Sequence, residues 1–143
     1  MKKRAFLVSA IASAALCSAG LAMAQDKFKI GLILPMTGPF ASTGKQIEAA
    51  ARLYIAQNGD TVGGKKVELI VKDDTSAPDV TKRIAQELVV NDKVNVLAGF
   101  GLTPLALATA PIATQSKTPL VVMAAATSSI TEASPFIIRT SFT

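Results

Sequence analysis

Gly38-Pro39-Phe40-Ala41-Ser42-Thr43-Gly44-Lys45 is the stretch most like a phosphate cradle in this chain of 143 residues. It misses that chemistry twice. Five residues separate its glycines where a P-loop has four, and Gln46 stands where Ser or Thr would hold magnesium. Gly99-Phe100-Gly101 follows an apolar run, as a dinucleotide fingerprint does, but Pro104 takes the place of the third glycine. Histidine is absent, so neither a Ser-His-Asp triad nor a His-based metal site can be built from these residues. No Gly-x-Ser-x-Gly elbow occurs either. Asp73-Asp74 could suggest acid/base work or a metal. Adjacent carboxylates ahead of Thr75-Ser76-Ala77-Pro78 more often satisfy the amides of a turn.

What remains is a set of loops rich in small and hydroxylated residues: Met36 to Gly44, Gly99 to Thr103, and Ala124 to Ser129. Amides, hydroxyls and helix N-termini without a general base are equipment for holding an anion, typically a carboxylate, and not for transforming it. Thr103 and Thr127 taken singly also suit helix caps, and both readings stand on sequence.

Positioning those loops requires alternating strands and helices. Phe28 to Leu34 is an apolar run ended by Pro35, and Val67 to Val71, Val94 to Phe100 and Leu120 to Met123 read as further strands. Phe136-Ile137-Ile138 begins a fifth. Helical spacing of Ile47, Ala50, Ala51 and Tyr54 predicts a helix over 45–58 with those residues facing inward. Val80, Ile84, Ala85 and Leu88 predict a helix from Asp79, taken as its N-cap, to Asn91. A third runs from Pro104 to Ser116 with Thr103 as cap, kinked or tightened at Pro111. Gly63-Gly64 marks a turn. Near-continuous apolar strands alternating with helices predict an α/β fold, an open and mostly parallel sheet with helices on both faces. In such a sheet, ligands bind beyond the carboxyl ends of the strands, where all three loops would open.

The first residues give an address. Met1-Lys2-Lys3-Arg4 is a basic start, Ala5 to Leu21 is apolar, and Ala22-Met23-Ala24 offers the small residues of a cleavage site. Residues 1–24 are therefore expected to be a signal peptide, leaving Gln25 first. The run is too short and too interrupted by Ser9, Ser13, Ser18 and Gly20 for a membrane anchor. Lys3 where a twin-arginine signal has its first Arg favours ordinary Sec export. The single cysteine, Cys17, lies within the leader, and Leu16 before it is not the small residue that lipidation needs. An exported protein without a lipid anchor points to a Gram-negative periplasm. Losing Lys2, Lys3 and Arg4 leaves 12 basic against 10 acidic residues, a net +2 with no basic cluster, so nucleic acid is not an expected partner.

Taken together, these residues resemble a known family. Ile30-Gly31-Leu32 running into Met36-Thr37-Gly38-Pro39-Phe40-Ala41-Ser42-Thr43-Gly44 is similar to the opening of the periplasmic branched-chain amino-acid-binding proteins of ABC transporters. Asp73-Asp74, Gly99 to Thr103, Ala125-Ala126-Thr127 and Ile138-Arg139-Thr140 follow in the family's order, so the resemblance covers Lys27 to Thr143. It implies a two-lobed Venus-flytrap receptor of type I topology that closes on a small-molecule ligand and docks on an inner-membrane ABC permease, with no cofactor. It also implies that Thr103 holds the ligand carboxylate, that Ala125 and Thr127 hold the carboxylate and amino group, and that Ala126 lines the pocket. Thr43 stands where leucine-type receptors often carry a Tyr, which opens the ligand to other carboxylates, aromatic acids included. Residues 25–143 are expected to be the first lobe of a longer protein, because the sequence stops directly after a strand. The rival readings are an exported α/β enzyme or a sensor lobe whose defining residues lie beyond Thr143.

The leader assignment has a direct check. Replacing Ala24 with a bulky residue is expected to block processing. N-terminal sequencing of the exported protein tests this, and a mature chain still starting at Gln25 would place the cleavage signal elsewhere.

Overall fold

Six strands form one sheet in the computed structural model, which describes residues 27–142. The leader and its cleavage after Ala24 lie outside them. Strand β1 (Phe28–Leu34) occupies the centre, between β3 (Lys65–Asp73) and β4 (Val96–Gly99). β5 (Leu120–Val122) and β6 (Ile137–Arg139) extend the sheet beyond β4, all in parallel. The register pairs Leu34 with Asp73, Ile33 with Gly99, Gly99 with Val122 and Val122 with Arg139. Every parallel strand thus ends along one line, and the loops that follow share one edge.

One strand was not legible as such. Gly63 and Gly64, both at positive φ (58° and 78°), turn β2 (Thr61–Val62) back antiparallel onto Lys65 and Lys66. Two glycines at the corner are the chemistry of a two-residue hairpin, whose turn needs left-handed backbone at both positions.

Helices α1 (Ala41–Asn58), α2 (Pro78–Val90), α3 (Thr103–Ser116) and α4 (Ser129–Glu132) fill the connections. Three expectations about their ends need correction. α1 begins at Ala41 and not Lys45, winding through Gly44, where a Cβ would sit 2.2 Å from the Pro35 carbonyl oxygen. Asp79 does not cap α2. Ala77 takes that position, Pro78 supplies the first helical residue, and Asp79 lies in the first turn facing the positive end of the dipole. Leu102, not Thr103, is the cap residue of α3. That helix continues through Pro111, with Thr109, Thr114 and Ser116 hydroxyls donating to carbonyls one turn back.

The two faces of the sheet differ. On one, α2 and α3 bury Ile84, Ala85, Leu88, Leu105, Ala106 and Ala113 against Ile33, Leu97, Leu120, Val122 and Ile137. On the other, register aligns Val71, Leu32, Ala98, Val121 and Ile138 in one row across five strands. α1 lies over this face through Ile47, but it does not seal it. Tyr54, expected to face inward, is 66% exposed at the rim of an apolar groove of about 340 Å³.

Gly99 fixes where β4 stops. Its φ is +114°, and a Cβ there would meet the Ile33 carbonyl oxygen at 2.1 Å. The conformation alone costs a residue with a side chain about 1–3 kcal/mol, and the clash with backbone adds to it. Gly99→Ala should therefore lower the unfolding free energy by at least that amount, read in urea as a lower midpoint with an unchanged slope.

Candidate functional site

The loop after β4 is built by Gly99 and Phe100. Phe100 is fully buried and takes φ +64°, a conformation uncommon for an aromatic residue. Its N–H donates to the Ile33 carbonyl (2.9 Å), and its own carbonyl accepts from the Ala125 N–H (3.0 Å). The chain then turns through Gly101 and Leu102 into α3. This locks the loop after β4 to the loop after β5.

Thr103 and Thr127 meet across that junction. Their Oγ1 atoms are 2.6 Å apart, and either can be the donor. Neither caps a helix. Thr103 is the first residue inside α3, and no side chain caps that helix. The cap position of α4 belongs to Ser128, again without a side-chain bond. Two hydroxyls 24 residues apart thus face each other on the shared edge, at the positive end of α3, whose first turn holds no acidic residue. Among the described residues, no hydrogen bond within the protein takes the N–H of Thr103, Ala126 or Thr127.

Ala125 is 3% exposed, and its backbone is committed on both sides. The N–H serves Phe100, and the carbonyl accepts from Ser141 Oγ at 2.6 Å. Ala126 is half-buried between Ala125 and Thr127. Thr103, Ala125, Ala126 and Thr127 therefore form one rim. Thr43 stands apart, half-buried in the first turn of α1 after the β1 loop. Among the described residues no hydrogen bond joins it to the threonine pair.

Asp73 ties that β1 loop to the sheet. Its carboxylate accepts from the Met36 N–H (2.9 Å), the Thr75 N–H (2.9 Å) and the Thr37 hydroxyl (2.6 Å). Partial burial works to raise its pKa. The bonds from Thr37, Thr75 and Met36 outweigh burial and hold the group below the usual carboxylate range. Asp74 behaves oppositely. It is fully buried, and burial raises its pKa; the Ser76 N–H offsets this in part, and the neighbouring Asp73 charge adds to it. These are turn and tether roles. Among the described residues no group of His, Cys, Asp or Glu could hold a metal ion.

The apolar groove under α1 is a different place. Leu32, Tyr54, Leu69, Ala98, Val121 and Met123 line it, and neither threonine of the pair does. A charged ligand would lose its hydration there with nothing to replace it. The sequence offered no sign of Ser141 or of the Phe100 turn. Ser141 lies outside every motif, and a left-handed Phe has no residue-type signature.

The chain is similar to proteins of known family and structure. A family model described as periplasmic binding protein matches residues 27–143. The Leu/Ile/Val-binding protein homolog 6 of Brucella abortus (strain 2308) is 47% identical over 144 residues, covering 100% of this chain and 36% of the relative. A solute-binding protein of an ABC transporter from Rhodopseudomonas palustris BisB5, solved in complex with 3,4-dihydroxybenzoic acid, is 69% identical with a TM-score of 0.81, covering 82% of this chain and 32% of that one. An R. palustris solute-binding protein solved with 4-hydroxybenzoate is 46% identical with a TM-score of 0.80, over 82% of this chain and 32% of the other. The chain spans about a third of the length of these relatives.

The two neighbouring aspartates give opposite pH signatures. Asp73, lowered in the folded state, contributes stability above its unfolded value of about 4 and loses it as pH falls through the folded value. Asp74, raised in the folded state, costs stability as pH rises from about 4 through its folded value. Asp73→Asn should thus destabilise at neutral pH, whereas Asp74→Asn should stabilise there and leave stability near pH 3 unchanged. Urea titrations of both variants across pH 3–8 check the two signs.

Proposed function

Because this chain belongs to the periplasmic binding protein family, we propose that it captures a small carboxylate at the Thr103–Thr127 rim and delivers it to an ABC importer. The observation that carries this reading is the 2.6 Å contact between the two hydroxyls at the N-terminus of α3. A carboxylate seated there would take hydrogen bonds from the hydroxyls and from the amides of Thr103, Ala126 and Thr127, in a field that favours negative charge. Amides and hydroxyls are groups for holding an anion, and the role proposed for the rim is to bind its ligand and release it unchanged.

An aromatic acid of the hydroxybenzoate kind is the proposed ligand. The R. palustris protein solved with 3,4-dihydroxybenzoic acid shares 69% identity, against 47% for the Brucella relative named for Leu, Ile and Val. Ala126 would line the pocket wall. Thr43, small and half-buried on the β1 loop, would leave room for a ring. A branched-chain amino acid is the second reading, favoured by the name of the Brucella relative. Residues 25–143 are proposed as one lobe of a two-lobed receptor in the periplasm, exported by a leader cut after Ala24. The partner is an inner-membrane ABC permease.

Thr→Val at either position keeps the shape and removes a hydroxyl. In the full-length protein, Thr103→Val and Thr127→Val should each cost about 1.5–3 kcal/mol of binding, or roughly ten- to a hundredfold in affinity. Because the hydroxyls bond each other, the double variant should cost less than the sum of the two. Calorimetric titration with 4-hydroxybenzoate, set beside thermal unfolding, decides the matter. Normal affinity with earlier melting would assign both residues to the scaffold.

A further inference from the structure

Phe40 breaks a local rule on the edge where the strands end. It is the N-cap residue of α1, and no side-chain hydrogen bond caps that helix. Ser, Thr, Asp or Asn in that place would offer an oxygen to the first-turn amides, and a phenyl ring has none. Nor does the ring fill the core, since Phe40 is 44% exposed. A large apolar side chain left in solvent at an uncapped helix end is the kind of inconsistency that proteins keep at functional positions.

The backbone ties Phe40 to the rim. Its carbonyl accepts from the N–H groups of Thr43 (3.1 Å) and Gly44 (3.4 Å). Phe40 and Thr43 thus hold the N-cap and third positions of one turn, whose side chains approach each other in a capping box. Gly44 lies against Pro35, where an added Cβ would stand 2.2 Å from the carbonyl oxygen. Gly101 lies against the same proline, with its would-be Cβ 3.0 Å from Cγ. The first turn of α1 and the loop leading into Thr103 therefore share one neighbour.

We propose that Phe40 is a specificity-determining residue, whose ring packs against the ring of an aromatic carboxylate held at the Thr103–Thr127 rim. This rests on the aromatic-acid reading above. Thr43 is small, and Phe40 beside it supplies the apolar face that a bound ring needs. Two aromatic rings meeting edge to face or offset gain more than the area they bury, because the positive edge of one meets the negative face of the other. A saturated ring of similar size has no such charge distribution and gains the area alone. Preference for the aromatic over the saturated ring is therefore the signature of this contact.

Full-length wild type, Phe40→Leu, Phe40→Tyr and Phe40→Ser are titrated with 4-hydroxybenzoate and with its saturated counterpart, 4-hydroxycyclohexanecarboxylate, and each is melted. Wild type should bind the aromatic acid more tightly. Phe40→Leu, which keeps an apolar side chain, and Phe40→Ser should each cut the ratio of the two affinities by about two- to tenfold. Phe40→Tyr, which keeps the ring, should keep the ratio. Phe40→Ser supplies a capping oxygen and should melt no earlier than wild type. A ratio unchanged in Phe40→Leu and Phe40→Ser overturns the assignment, and earlier melting beside it would make Phe40 a packing residue. Equal affinity of wild type for the two acids overturns it as well and leaves the ligand reading standing. Failure of wild type to bind 4-hydroxybenzoate overturns the ligand reading itself, and this inference with it.

Discussion

Hydrogen bonding does not stop where the strands do. Past the end of β4, the Phe100 N–H continues the pairing to Ile33; past β5, the Ala125 N–H continues it to Phe100; past β6, Thr140 and Ser141 continue it to Val122 and Ala125. This extension of the ladder into the loops is the constraint on which the site depends. It fixes Thr103 relative to Thr127 through peptide groups, which are stiff, and not through side chains, which rotate. The same bonds give the buried Phe100 and Ala125 partners for both N–H and carbonyl, as buried polar groups require.

The extension also sets the sign of the rim. The carbonyls of Gly99, Phe100 and Ala125 are taken by the next loop, while among the described residues no hydrogen bond within the protein takes the N–H of Thr103, Ala126 or Thr127. A polar surface that is otherwise uncharged therefore presents donors at one place. This is the helix-terminus anion preference reached by two routes at once, the dipole of α3 and the unpaired N–H groups around Thr127. Asp73 and Asp74 do not spoil it. Asp73 spends its charge on the β1 loop, and Asp74 is buried at the start of α2 with its pKa raised.

Much of this was legible in the residues, for reasons that differ by element. β1 was readable because Phe28 to Leu34 is apolar except at Lys29 and Pro35 ends it; its observed bounds are the same. Thr103 and Thr127 could be placed on one edge because consecutive parallel strands must deliver their following loops to the same side. Helix starts were less readable. Whether Leu102 or Thr103 caps α3 depends on which residue first adopts helical angles, and both hydroxyl and non-hydroxyl residues can hold that place when Pro104 presets the turn. The inward face of α1 was misjudged at Tyr54 because periodicity orients a helix about its axis but does not say how closely it approaches the sheet. β2 was missed because a strand of two residues has no periodicity to read. The meeting of Thr103 and Thr127 as hydrogen-bonded partners, and the hold of Ser141 on Ala125, depend on three-dimensional proximity over separations of 24 and 16 residues.

The strand order has a consequence for how the molecule comes into being. β1 is first in sequence and central in space; β3 settles on one side of it, β4 on the other, and β5 and β6 follow outward. No later strand has to wedge between two that are already joined. A lengthening chain can therefore assemble this sheet by successive accretion at a free margin, each addition resting on a finished neighbour. The β2 hairpin closes the margin beyond β3 early, which leaves growth a single direction. Thr103 is in place before Thr127 exists, and β6 with Ser141, laid down after both, is the piece that braces the rim.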